Sequence, residues 1–317
     1  MFLSVPVWFL PFWAAAQEGE QEVVANLSTG RVVLAVGKDG IVIGAAEEKP
    51  EPGSRPPLVV LLGPRRIGVL LGAAEWVWPA GGRAAARLDR ELMRITREMV
   101  NPQGTAGYER AGDIEALGVG VLERLRDLAG HLHRKLNLKP DEPVLELILA
   151  DYEEGYGPEV WVLRYRVAQE ALRGDYWRTR VLRPSYTQLY PPEKHQPHVL
   201  MELHYPPEES SPDLLDLLRQ NDPRLAALRS SDPAMARAAD FLLKGESQRA
   251  AAGEVAGLLH AALPVVTSPE AKLVLGVLYL ERPFDWILAP PEPVEKADEG
   301  KPREPGAPTL RNKKPPP

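Results

Sequence analysis

The chain has 317 residues, 44% of them hydrophobic, enough to bury a core, and carries a formal net charge of −6. With 38 Lys and Arg against 44 Asp and Glu, it lacks the basic excess that general affinity for nucleic acid or anionic membrane requires. The absence of cysteine excludes disulfides, thiolate metal sites and cysteine nucleophiles.

The first sixteen residues, "MFLSVPVWFLPFWAAA", are apolar, end in Ala14-Ala15-Ala16 and give way to the polar "QEGEQE". They resemble a signal peptide without its usual positive start, and are short for a spanning helix of about 20 residues. The chain is therefore expected to be exported, with no membrane contact beyond that segment. Residues 17–29 form a short N-terminal segment. In "VVLAVGKDGIVIGAA", residues 32–46, Asp39-Gly40 between two apolar runs predicts a β-hairpin. A charged, proline-rich loop follows, and then two strands in "LVVLLGPRRIGVLLGAA" around Gly63-Pro64. Trp76 and Trp78 alternate with Val77 as strand residues.

Helical spacing of Leu88, Leu92, Ile95 and Met99 predicts a helix over residues 83–100. Ile114, Leu117, Val121, Leu125, Leu128, Leu132 and Leu136 predict a second over 113–136. "PVLELILADYEEGYGPEVWVLRYRV" reads as strand, acidic turn and strand, and "YWRTRVL" as a further strand. From Pro212 to Leu263 the pattern is helical, with start signals at Asp222-Pro223 and Asp232-Pro233. "KLVLGVLYL" and "FDWIL" give two closing strands, and the tail over 290–317 is proline-rich and expected to be disordered.

Two stretches carry chemical potential of their own. If residues 198–204 form a strand, His198, Glu202 and His204 share one face and offer a zinc three ligands, with His195 nearby. "DYEEGYGPE" clusters Asp151, Glu153, Glu154 and Glu159 at what reads as an exposed turn, beside Tyr152, Tyr156 and Trp161. His131 and His133, two apart on a helix, point to different faces and make poor metal partners.

Four pieces in order, "VVLAVGKDGIVIGAA", "RRIGVLLGAA", the helix pair and "PVLELILADYEEGYGPEVWVL", resemble the proteasome-type N-terminal nucleophile hydrolases. The resemblance covers residues 30–167 and fades over 168–250, which would then be an insertion in a domain spanning 30–289. It implies an α+β fold, the four-layer αββα sandwich. It also implies an N-terminal threonine nucleophile whose own amine is the base, with a lysine and an aspartate in support. Carried onto this chain, the nucleophile position falls on Gly30, the aspartate on Ala46 and the lysine on Leu58. Thr29 is one residue off, and a one-residue slip turns a strand side chain to the other face.

The expectation is therefore a relative without catalytic residues or cofactor, a structural or binding component of a ring built from further copies or related subunits. Trp76, Trp78, Tyr156 and Trp161 are its candidate contact surface. Two alternatives stand beside it: a hydrolase using Thr29 after cleavage at Ser28-Thr29, and a metal-binding protein centred on His198, Glu202 and His204.

Overall fold

A computed structural model describes residues 22–28, 30–47, 59–78, 83–99, 110–153, 157–191, 200–206, 213–245 and 249–289. The leader, Thr29, Leu58, Glu154, Tyr156, His195, His198 and the tail from Pro290 lie outside the described residues.

The predicted hairpin forms as β2 (Gly30–Val36) and β3 (Gly40–Glu47), closed by a 2.8 Å bond from Gly37 N–H to the Gly40 carbonyl. A Cβ on Gly40 would lie 2.6 Å from the Leu278 carbonyl oxygen, so this close approach admits glycine alone. The hairpin sits inside a five-stranded antiparallel sheet. Its outer members are β12 (Leu200–Tyr205) beside β2, and β13 (Lys272–Tyr279) then β14 (Asp285–Leu288) beside β3.

A seven-stranded sheet forms around β5 (Arg66–Trp78). β1 (Val24–Ser28), β4 (Val59–Gly63) and β6 (Arg83–Arg87) pair with β5. β7 (Leu145–Glu153) also pairs with β5 and leads on to β8 (Gly157–Tyr165) and, skipping a ribbon, β11 (Ser185–Tyr190). The ribbon, β9 (Val167–Ala171) with β10 (Trp177–Val181), is a sheet of its own. At Gly72, where β5 passes from β7 to β1, φ is +94°, and an added Cβ would lie 2.6 Å from the Val144 carbonyl oxygen.

The helices are α1 (Leu88–Met99), α2 (Arg110–Gly130), α3 (Leu214–Arg219), α4 (Pro223–Ser231), α5 (Pro233–Lys244) and α6 (Ala252–Val266). Alternation along β5, β7 and β8 divides their side chains between two cores. Ile67, Val69, Ile148, Ala150 and Val162 join the five-stranded sheet and α3 to α6, while Leu70, Leu147, Leu149, Leu163 and Tyr165 join α1 and α2. β2 and β3 are buried on both faces, which explains their unbroken apolar run.

The expected four-layer αββα sandwich is corrected. The protein is mostly antiparallel β, with about 43% of the described residues in strands and 34% in helices, and it has three sheets rather than two. Much of the difference comes from residues that a helical or unassigned pattern left open. Residues 83–87 belong to the predicted first helix, yet they pair with β5 from Glu75 to Trp78, because a neighbouring strand edge outweighs alanine's helix preference. β1, β9 and β11 carry no strong pattern and are strands through their partners. α2 stops at Gly130, six residues short of the predicted end, and Leu136 reaches the same core from irregular chain.

Two surface readings are also corrected. Trp76 is 1% exposed, with its indole N–H on the Ala73 carbonyl, so it fills the core and cannot be a contact surface. Trp78 is half-buried and stacks edge-on against His131. Asp151 and Glu159 are buried, because the Arg66 guanidinium grips Asp151 at 2.7 Å and the Trp161 indole N–H donates to Glu159 at 2.9 Å. Arg66 also reaches Asp113 at 2.6 Å, tying α2 to the sheet. Among the described residues, no helix is long and apolar enough to cross a membrane.

Candidate functional site

Register brings the main charged cluster together. β12 runs antiparallel to β2 with His204 opposite Arg31 and Glu202 opposite Val33, so alternation puts Arg31, Glu202 and His204 on one face, with Val33 among them. Ala46 of β3 lies opposite Arg31 on the other side. Asp213 and Leu214 open α3 directly over β12.

The Arg31 and Glu202 side chains are 3% and 4% exposed, with Nη1 and Oε1 3.2 Å apart. Glu202 Oε2 accepts from the Leu214 N–H at 2.6 Å, holding the first residue of α3 to the strand. His204 Nε2 stands 3.4 Å from Glu202 Oε1 and 3.2 Å from Asp213 Oδ1. The hydrogen bond with Glu202 raises the imidazole above its usual pKa, against the opposing pull of burial and of Arg31. With that proton in place, two cations balance two carboxylates.

The arrangement decides what the cluster can hold. Glu202, His204 and Asp213 present ligand atoms within 4.8 Å of one another, a set with the chemistry of a zinc site. A divalent ion there must displace the His204 proton and share Glu202 Oε1 with Arg31, whose guanidinium repels it. A proton suits the charges better than a metal.

Of the residues that sequence reading assigned to a metal, Glu202 and His204 come together, His198 lies outside the described residues, and Asp213 takes the third place. The positions assigned to an N-terminal nucleophile and its aspartate are filled by the strand itself. Gly30 is buried between Glu47 and Tyr205, and Ala46 is buried between Arg31 and Leu273. Arg31 is the residue sequence reading missed. Its signal is a single arginine leading an otherwise apolar strand, which must find a buried acid wherever the fold supplies one.

His131 and His133 follow the end of α2 rather than sharing its surface. His131 meets Trp78 and His133 meets Tyr176, so neither joins a metal cluster among the described residues. No family model matches the chain, and no curated protein shows significant similarity to it. Neither comparison links the chain to the N-terminal nucleophile hydrolases.

Proposed function

We propose that the chain is a non-catalytic structural or binding component of a protein assembly. One observation carries this reading: the charged groups at the open end of the β2–β3 hairpin pair with one another and with the α3 backbone. Arg31 faces Glu202, Glu202 holds the α3 backbone, and His204 bridges Glu202 to Asp213. Groups held in this way serve to fasten β12 to α3, whereas a general base or nucleophile must keep a face toward its substrate.

Turnover and intact mass test it. The full chain is expected to leave peptide and ester substrates unchanged and to show no mass corresponding to cleavage at Ser28-Thr29. Peptide turnover abolished by Thr29→Ala would overturn the reading. So would stoichiometric zinc that survives desalting in the wild type and is lost in His204→Ala.

A further inference from the structure

The ribbon of β9 and β10 pairs with neither large sheet and keeps one strand edge open. The Leu172 N–H donates to the Tyr176 carbonyl at 2.8 Å and the Leu182 N–H to the Arg166 carbonyl at 2.9 Å. Even-numbered residues therefore carry the bonds between the strands. Val167, Gln169 and Ala171 on β9, and Trp177, Thr179 and Val181 on β10, turn their backbone outward. The outer edge of β10 is taken at both ends: the Trp177 N–H donates to the His133 carbonyl at 2.8 Å, and the Val181 carbonyl accepts from Arg126 Nε at 3.3 Å. On β9, no outward N–H or carbonyl has a partner among the described residues.

The two faces of the ribbon differ. Val167, Gln169, Trp177, Thr179 and Val181 are half-buried or buried, toward the chain that follows α2, where Gln169 accepts from the Leu136 N–H at 3.0 Å. The other face shows Arg178 and Arg180, both exposed, opposite Glu170 and Ala168. Residues 166–183 hold five arginines against two acids, in a chain of net charge −6. Among the described residues, Arg173, Arg178, Arg180 and Arg183 form no ion pair. Leu172 and Tyr176, at the turn, are 45% and 58% exposed.

We propose that β9 takes up a further strand, an extended segment of a partner protein in which acidic and apolar residues alternate. Outward N–H and carbonyl groups at every second residue match the backbone of an extended peptide, a match that neither a nucleic-acid backbone nor a lipid surface offers. Alternation then sets every second side chain of the added strand on the arginine face and the others level with the apolar face. An acid beside Ala168 lies about 10 Å from β10, two strand spacings away, and the small Ala168 side chain leaves Arg180 clear to reach across to it. Arg166, two residues from Ala168 and on the same face, adds a second cation. The exposed Leu172 and Tyr176 close the edge with the kind of side chain that interfaces bury at their centres. The proposal rests on the reading of the chain as a binding component and names the chemistry of its partner.

Fluorescence anisotropy tests it, with the full chain titrated into a fluorescein-labelled peptide of alternating glutamate and valine, and circular dichroism confirming that each variant is folded. The wild type is expected to bind this peptide about tenfold or more tighter than one of alternating lysine and valine. Arg178→Glu with Arg180→Glu is expected to weaken binding by about tenfold or more, and so is N-methylation of the peptide backbone, which removes its donors. No binding of the glutamate peptide, equal binding of the lysine peptide, or indifference to the arginine changes or to N-methylation overturns the proposal. Tighter binding to a labelled oligothymidylate or to phosphatidylserine vesicles than to the glutamate peptide overturns it as well. Those outcomes leave the non-catalytic reading standing, whereas peptide turnover removes that reading whatever the anisotropy shows.

Discussion

Arg31 leads a strand whose next five residues are all apolar, and among the described residues Glu202, 171 positions away by number, is the acid that pairs with it. Removing one partner of such a pair leaves a buried charge uncompensated and costs about 3 to 5 kcal/mol, while replacing both by apolar groups costs far less. Arg31→Met is therefore expected to lower the urea midpoint sharply, and Arg31→Met with Glu202→Met to recover part of the loss. Full recovery is not expected, because Glu202 also accepts the Leu214 N–H. Additive effects of the two changes would show that the pair is not coupled.

His204 makes stability depend on pH. Its pKa is raised in the folded protein, chiefly by the hydrogen bond with Glu202, so the native state binds this proton more tightly than the unfolded chain does. That contribution is complete below the unfolded value near 6.5 and disappears as pH rises through the folded value. Arg31, Glu202 and Asp213 are the charged groups in contact with or pulling on the ring, so the sign follows from the two carboxylates prevailing over one cation. The urea midpoint is expected to fall as pH rises from about 6.5 through the raised folded-state value, and His204→Ala to remove that part of the slope.

At the scale of elements, the turn of the hairpin does more than reverse the chain. α6 begins after Ala251, which offers no side-chain cap, and Asp39 supplies it from the turn, accepting the Ala252 N–H at 2.7 Å. The Lys38 N–H binds the Ala250 carbonyl at 2.8 Å, and Gly37 is so close to Ala252 that an added Cβ would lie 3.0 Å from its Cα. A carboxylate at a helix start satisfies an orphan N–H and meets the positive end of the helix dipole. Asp39→Ala is expected to cost about 1 kcal/mol in urea unfolding, and Asp39→Asn distinctly less. By contrast, α4 and α5 are capped by their own Asp222 and Asp232, each ahead of a proline, and both starts are readable locally.

Over the whole molecule, the five-stranded sheet joins the two halves of the sequence. β13, from the C-terminal part, pairs along its full length with β3, from the N-terminal part, with Lys272 opposite Glu47 and Tyr279 opposite Gly40. It also buries Val274, Leu275, Val277 and Leu278. A chain ended before Lys272 would leave β3 as a long apolar edge, the kind of strand that invites aggregation. Such a truncation is expected to lose cooperative thermal unfolding by circular dichroism, and a cooperative transition like that of the full chain would show that the sheet does not depend on β13.

Local chemistry determined much of this protein. Asp39-Gly40 and Gly63-Pro64 marked turns, the apolar runs of β2, β3, β7 and β13 marked buried strands, and Asp-Pro pairs marked helix starts, because each signal acts within a few residues. Tertiary structure alone decided the rest. Residues 83–87 became a strand by lying beside β5, Asp151 and Glu159 became buried through Arg66 and Trp161, and α6 received its cap from a turn more than two hundred residues away. The candidate cluster shows the same division: alternation on β12 predicted that Glu202 and His204 share a face, while Arg31 and Asp213 joined them only through strand register and the seating of α3. A buried charge selects its partner by proximity in space, and that proximity does not exist until the sheets have formed.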